Sequence, residues 1–413
     1  MIPEIWIFQI WEKSGSEIST TKIMPTKRNV NPPKRSKAPV LRFAHPYFTP
    51  VATGQRPKIP GHGQRMLDHI QDTLQPIPAI RGNGMMSLSD VIGQAGADAI
   101  AAAKQITIHI AGDTGVPETD RETRQVMVAE AMTKDYNAAN PHLSPAFFLH
   151  LGDVIYGPDP NAYLGEFYRP YMHYPGKIVA IPGNHDGEST AKMNAFQKYF
   201  CAPNQVVPPI AGSIFRQTLN QPGVYWCLDA PFVQIVGFYS NAAENPGFIS
   251  GPVPGQKQKQ WLIQTLKSLK ASRDRGSRKA LLFATHHPPY SSGGHSGSTE
   301  MLNDIDDACK QAGIMPDAFF SGHAHSIQRY TRSVELGGNK LSIPYIVSGC
   351  GGHGGQKIAQ PTRSASVNPA YEFGYEGWGY TLVDIAEQAL TITSYGVDWD
   401  SVKKVDGVTI NLR

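Results

Sequence analysis

Five short, mostly apolar runs in this chain each stop at a residue able to bind a metal. That repeated junction constrains the fold more than any other feature. Ile106-Thr107-Ile108-His109-Ile110 leads to Gly112-Asp113-Thr114-Gly115, and Ala146-Phe147-Phe148-Leu149 leads to Gly152-Asp153-Val154-Ile155-Tyr156. Lys177-Ile178-Val179-Ala180-Ile181 leads to Gly183-Asn184-His185-Asp186. Further on, Lys279 to Ala284 leads to Thr285-His286-His287-Pro288, and Ala318-Phe319-Phe320 to Gly322-His323-Ala324-His325. Runs of this length and texture suit buried strands. Glu118 to Tyr136 and Tyr163 to Tyr171 read as helices between the first three, and strand–helix–strand alternation predicts a parallel-type α/β sheet. Ligands of such sheets gather beyond the carboxyl ends of the strands. A glycine at four of the five junctions, Gly112, Gly152, Gly183 and Gly322, lets the backbone turn sharply and bring the next side chain inward.

The rest of the chain fills out a mixed architecture. Val224 to Leu228 and Phe232 to Tyr239, split at Asp229-Ala230-Pro231, predict a hairpin. Lys257 to Lys270 places Trp261, Leu262, Leu266 and Leu269 at helical spacing. Asp304 to Gly313 predicts a helix with Gly313 as its stop. Strands are expected at Pro344 to Val347, Gly379 to Ile385 and Leu390 to Tyr395. Residues 1–100 have a different texture. They read as a basic, Pro/Gly-rich leader with a helix near 88–104 capped by Ser87, and the catalytic domain is expected over 105–413. Ten Lys/Arg against three Glu give residues 1–60 a local +7, leaving −3 of the net +4 for the remainder. The body therefore offers no basic nucleic-acid groove. No apolar stretch is long enough for a membrane span. Four scattered cysteines, with no Cys-x-x-Cys pair, exclude a zinc ribbon or thioredoxin motif.

Asp113, Asp153, Asn184, His286, His323 and His325 form a mixed oxygen and nitrogen donor set of the kind that suits Zn, Fe and Mn. Tyr156 adds a phenolate, which favours a hard Fe(III) ion. Each block alone has an ordinary reading: Gly-Asp and Gly-Asn mark turns, His286-His287 fits a loop, and Tyr156 fits packing. His323-x-His325 is the most specific piece, because alternate residues of an extended segment share a face. Joint occurrence in one order is what favours a two-metal site.

These blocks resemble the calcineurin-like metallophosphoesterases, and within them the purple acid phosphatases, marked by GDxG, GDxxY, GNH[DE], a histidine two residues before a proline, and GHxH. The resemblance covers roughly Gln105 to Tyr395. It implies a four-layer α/β/β/α sandwich with two mixed β-sheets. It also implies that Asp113, Tyr156 and His325 hold one ion, Fe(III), and that Asn184, His286 and His323 hold a second, Zn, Mn or Fe(II), with Asp153 bridging both. His185 is expected beside the phosphate and His295 as a proton donor to the leaving group, while His287 and Asp186 are neighbours of the site. His353 is a candidate for the pocket lining. Asp113-Thr114-Gly115 departs from the DxH block of the wider superfamily, and the β-sandwich domain of plant members is not evident in residues 1–100.

The activity so implied is dinuclear hydrolysis of a small phosphoester by metal-bound hydroxide, most simply as a phosphomonoesterase. The alternatives are a phosphodiesterase of the same superfamily, acting on a cyclic nucleotide, lipid head group or nucleic acid, and a catalytically weak metal-binding interaction protein. A small-molecule substrate is expected, with no specific nucleic-acid binding. Met1 to Trp11 lacks a positive n-region and a cleavage site, so the sequence as written reads as cytoplasmic, and as exported if its true start differs.

Overall fold

Alternation along one strand sets the layering. In Gln105–Ala111, Ile106, Ile108 and Ile110 point into the core between two sheets, while Ala111 joins a second core on the outer face. The computed structural model describes residues 73–116, 122–137, 139, 143–157, 159–188, 193–359 and 368–412. In chain order these form β1 (Met85–Ser87), α1 (Leu88–Ile92), α2 (Gln94–Ala103), β2 (Gln105–Ala111), α3 (Glu122–Thr133), β3 (Phe147–His150) and β4 (Lys177–Ala180). They continue with α4 (Asn184–Gly187), α5 (Asn194–Phe200), β5 (Trp226–Asp229), β6 (Val233–Gly237), α6 (Lys257–Asp274), β7 (Ala280–Thr285) and α7 (Thr299–Ala312). The chain ends with β8 (Ala318–Ser321), β9 (Ile327–Leu336), β10 (Asn339–Ser348), β11 (Ala370–Tyr375), β12 (Trp378–Ala386), β13 (Ala389–Asp398) and β14 (Ser401–Asn411). No helix among the described residues is long and apolar enough to cross a membrane.

One sheet has eight strands in the order β1-β5-β6-β7-β8-β10-β9-β11, and the other six in the order β14-β13-β12-β2-β3-β4. Both are mixed. In the eight-stranded sheet β6-β7-β8-β10 run parallel and β9 and β11 add antiparallel; in the six-stranded sheet β2-β3-β4 run parallel to the β4 edge, and β12, β13 and β14 extend the other side antiparallel. Between the sheets, Phe147, Leu149 and Val179 meet Trp226, Ile235, Leu282 and Phe320. On one outer face Phe148 and Ile178 pack under Val128 and Met132 of α3. On the other, Leu281, Phe283 and Phe319 pack under Leu262 and Leu266 of α6 and Met301 and Ile305 of α7. This is the four-layer α/β/β/α sandwich that the resemblance implies.

Several elements differ from expectation. The helix near 88–104 is two helices, broken at Gly93, whose φ of 81° a side chain would resist. Ser87 caps the first through a reciprocal box with Asp90. Met85–Ser87 pairs with β5, and Met86, Leu88, Val91 and Ile100 are buried in the core between the sheets. Residues 85–103 therefore belong to the folded domain, and the start expected at 105 is too late. Residues 1–72 of the expected leader lie outside the described residues. Tyr163 to Tyr171 is a single π-helical turn, Leu164–Tyr168, and not a regular helix. α7 starts at Thr299, five residues before the expected start at Asp304, and ends at Gly313 in the left-handed conformation. β9, β11 and β14 carry charged or half-exposed residues along their length, so they lack the apolar texture that reveals a strand in sequence.

Candidate metal centre

Each of β2, β3, β4, β7 and β8 runs out beside one of the five blocks, and the blocks turn to one another. Asp113 and Asp153 take left-handed backbone, with φ of 57° and 53°, and so does His323, at 65°. Asp tolerates that conformation; a histidine there is uncommon, and such residues concentrate where surrounding structure imposes them. Gly183 is required by close approach: a Cβ on it would overlap Asp153 Oδ1. Asp186 reinforces the turn by accepting the backbone N–H groups of Gly183, Val154 and Ile155. It orients the loops, as expected, and its buried carboxyl is pushed up to about 7, first by burial and then by Asp153.

Second partners fix which atom each side chain presents. His286 Nδ1 donates to Leu151 O at 2.8 Å, which leaves Nε2 facing inward. That nitrogen lies 2.9 Å from Asn184 Oδ1, 3.2 Å from His323 Nδ1 and 3.3 Å from Asp153 Oδ2. His323 Nε2 lies 3.3 Å from Asn245 Oδ1, and Asn184 Nδ2 donates to Glu244 Oε2 at 3.1 Å. His325 Nδ1 donates to Gly354 O at 2.8 Å, while its Nε2 is 3.3 Å from the Tyr156 hydroxyl and 3.4 Å from Asp113 Oδ1. Such outer partners set tautomer and orientation in metal sites.

All seven expected ligand side chains thus converge. Asp153, His286 and His323 alone place donor atoms within 4.8 Å of one another. Two oxygens test the fit. Asp113 Oδ2 accepts from His323 N–H and Asp153 Oδ1 from His185 N–H, yet Asp113 Oδ1 and Asp153 Oδ2 are buried with no hydrogen-bond partner. A buried carboxylate oxygen without a partner is costly unless a cation meets it. His286 reports the same field. Burial opposes charge on His286, but Asp153 and Asp113 override it and push its pKa up to about 9. The donor set, its convergence and its orphaned oxygens fit a pair of metal ions.

The outer residues divide. His185 lies against Tyr156, with the rings tilted and their centroids 4.4 Å apart, and pairs with Glu188 at 2.9 Å. Burial opposes its charge, but Glu188 and Asp153 prevail and raise its pKa to about 9. His295 reaches the site, with its ring centroid 4.1 Å from that of His323, but burial and then His325 push it down to about 4. His287 is a neighbour, bonded to Ser240 and Ala243 O. Sequence reasoning missed Glu244, Asn245 and Glu166, which accepts the Tyr156 N–H. Glu244 and Asn245 sit in a loop and Glu166 in the π-helical turn, none within a motif, and nothing local signals them. His353, only a candidate from sequence, stacks on Tyr156 at 3.8 Å and donates Nδ1–H to Gly115 O.

The calcineurin-like phosphoesterase family model matches residues 106–326, more than half of the 413-residue chain. The chain belongs to that family, whose members form dinuclear metal-dependent sites. Among solved structures, GAP50, the anchor in the inner membrane complex of Plasmodium, matches at 15% identity and a TM-score of 0.50, over 75% of this chain and 89% of its own. PhoD matches at 12% identity and a TM-score of 0.46, covering 75% and 70%. Vps29 from Cryptosporidium parvum covers 74% and 98% at 12% identity, with a TM-score of 0.29. At 15% identity the likeness to GAP50 speaks to fold alone. No curated protein sequence matches the chain.

Proposed function

We propose that the chain is a dinuclear phosphomonoesterase of the purple acid phosphatase type. The observation that carries this reading is the pair of orphaned carboxylate oxygens, Asp113 Oδ1 and Asp153 Oδ2, facing inward-turned imidazole nitrogens. Asp113, Tyr156 and His325 would hold one ion, Asn184, His286 and His323 the other, and Asp153 both. The ions, when bound, would supply Lewis acidity toward water and phosphate oxygens. The chain's own residues do the rest. His185 is the proton donor to the departing alkoxide, since its partners keep it charged at neutral pH. His295, held neutral, is better suited to accept a hydrogen bond or to pack over His323 than to give up a proton. Asn245 and Glu244 hold His323 and Asn184 in register.

Tyr156 distinguishes the purple acid type. Burial, then Asp153 and Asp113, push its phenol well above the ordinary range, so only a strongly charged cation would hold it as phenolate. Iron-loaded protein should show a visible charge-transfer band that Tyr156→Phe removes. A wild-type band that survives in the variant would reject the assignment. Aryl phosphate should be cleaved faster than the corresponding aryl diester; the reverse order would favour the phosphodiesterase reading.

The proton donor has its own signature. A group whose pKa is raised to about 9 carries its proton below that pH and loses it above, so turnover should fall as pH rises through about 9. Glu188→Gln removes the strongest partner of His185 and should move that limb to lower pH. A limb that stays in place would assign it to another group.

A further inference from the structure

The face behind Lys177 carries positive charge with no carboxylate lining it among the described residues. A cavity of about 400 Å³ opens there, lined by Lys177, Arg216 and the apolar side chains of Phe167, Tyr199, Phe215 and Leu219. That volume lies in the range of small-molecule sites. Arg216 donates to the carbonyls of Gly176, Tyr171 and Tyr174. These bonds explain where the guanidinium sits but leave its charge unmatched, and Arg216 Nε is buried without a partner. Lys177 Nζ meets only neutral amide oxygens, Gln205 Oε1 at 2.9 Å and Gln217 Oε1 at 2.8 Å. Burial and then Arg216 push its pKa below the ordinary value, so the two cations are close enough to repel. Two part-buried cations without a counter-ion are an unfavourable arrangement for a protein to keep. At the same place Phe215 is 89% exposed, the highest among the large exposed hydrophobics of the described residues.

We propose that this cavity is a second ligand site, which takes a small aromatic anion: the charged head meets Lys177, with the Arg216 guanidinium adding positive charge beside it, and the ring packs on Phe215 and the apolar wall. Lys177 opens β4 and Asn184 lies just past its other end. At 3.3 Å per strand residue, the cavity is on the order of 20 Å from the metal centre. The site therefore does not depend on the hydrolase reading.

Isothermal titration of the metal-loaded protein with phenylphosphonate, benzoate and methylphosphonate tests it. The wild type should bind phenylphosphonate at two sites, one at the metals and one in the cavity. Lys177→Met should weaken the second at least about tenfold, the scale of a lost charged hydrogen bond, with an unchanged unfolding transition. Phe215→Ala should weaken phenylphosphonate there but not methylphosphonate. Benzoate binding at that site would show that any aromatic anion is accepted; its failure alongside phenylphosphonate binding would narrow the head group to a phosphonate or phosphate. Phenylphosphonate binding that neither Lys177→Met nor Phe215→Ala weakens at any site would overturn the proposal, whether or not the metal centre also binds.

Discussion

Asp153→Asn is expected to lower phosphoester hydrolysis by at least about 10³-fold, the scale lost when a group stabilising charge at a reacting centre is removed, and to release both metal ions. The reason lies in two oxygens with different tasks. Oδ1 accepts the His185 N–H and holds the turn, while Oδ2 is buried, unpartnered and 3.3 Å from His286 Nε2. An amide preserves the shape and can keep the first contact. It removes the negative charge that two neighbouring cations would share, and it can place N–H groups where a lone pair is needed. The variant should stay folded, with an unchanged far-ultraviolet spectrum and near-zero metal content after dialysis. Full metal content with normal turnover would remove Asp153 from the site.

Trp226→Ala is expected to cost about 3–5 kcal/mol of folding stability, the range for deleting a large buried aromatic side chain. That is a large share of the roughly 5–15 kcal/mol that holds a typical native state. Trp226 is fully buried in β5 of the eight-stranded sheet, and its Nε1–H donates across the core to Ala180 O of β4 at 3.1 Å. It therefore joins the two sheets whose strand ends carry the metal centre. Trp226→Phe should cost less, because Ala180 O keeps its bond from Gln221 Nε2 at 2.8 Å. Urea unfolding gives the test: the midpoint should fall with little change in slope. A loss near 0.5 kcal/mol, as for a surface substitution, would show that the sheets are held together elsewhere.

What the sequence reveals depends on how local the physics is. Each metal-binding block is legible because an apolar run and a donor side chain are adjacent in the chain, with a turn-making glycine between them in four of the five, and β2, β3, β4, β7 and β8 follow directly from such runs. His286 and Asp153 were nameable for that reason. Glu244 and Asn245 were not, because their roles exist only once a loop after β6 folds over Asn184 and His323. His353 on Tyr156, and Trp226 across the sheets, are likewise contacts between distant residues. The strained backbone of His323 is invisible in sequence, since its neighbours impose the conformation. The break at Gly93 shows the converse: the glycine is visible, but burial of Met86 and Leu88 decides that the segment belongs to the core.

Anomalous diffraction from crystals of metal-loaded protein addresses the metal centre most directly. Two peaks about 3.5–4 Å apart, the spacing of two-metal hydrolytic sites, should lie among Asp113, Asp153, Tyr156, Asn184, His286, His323 and His325, with an Asp153 carboxylate oxygen near both. A single peak, or a pair placed away from those side chains, would contradict it.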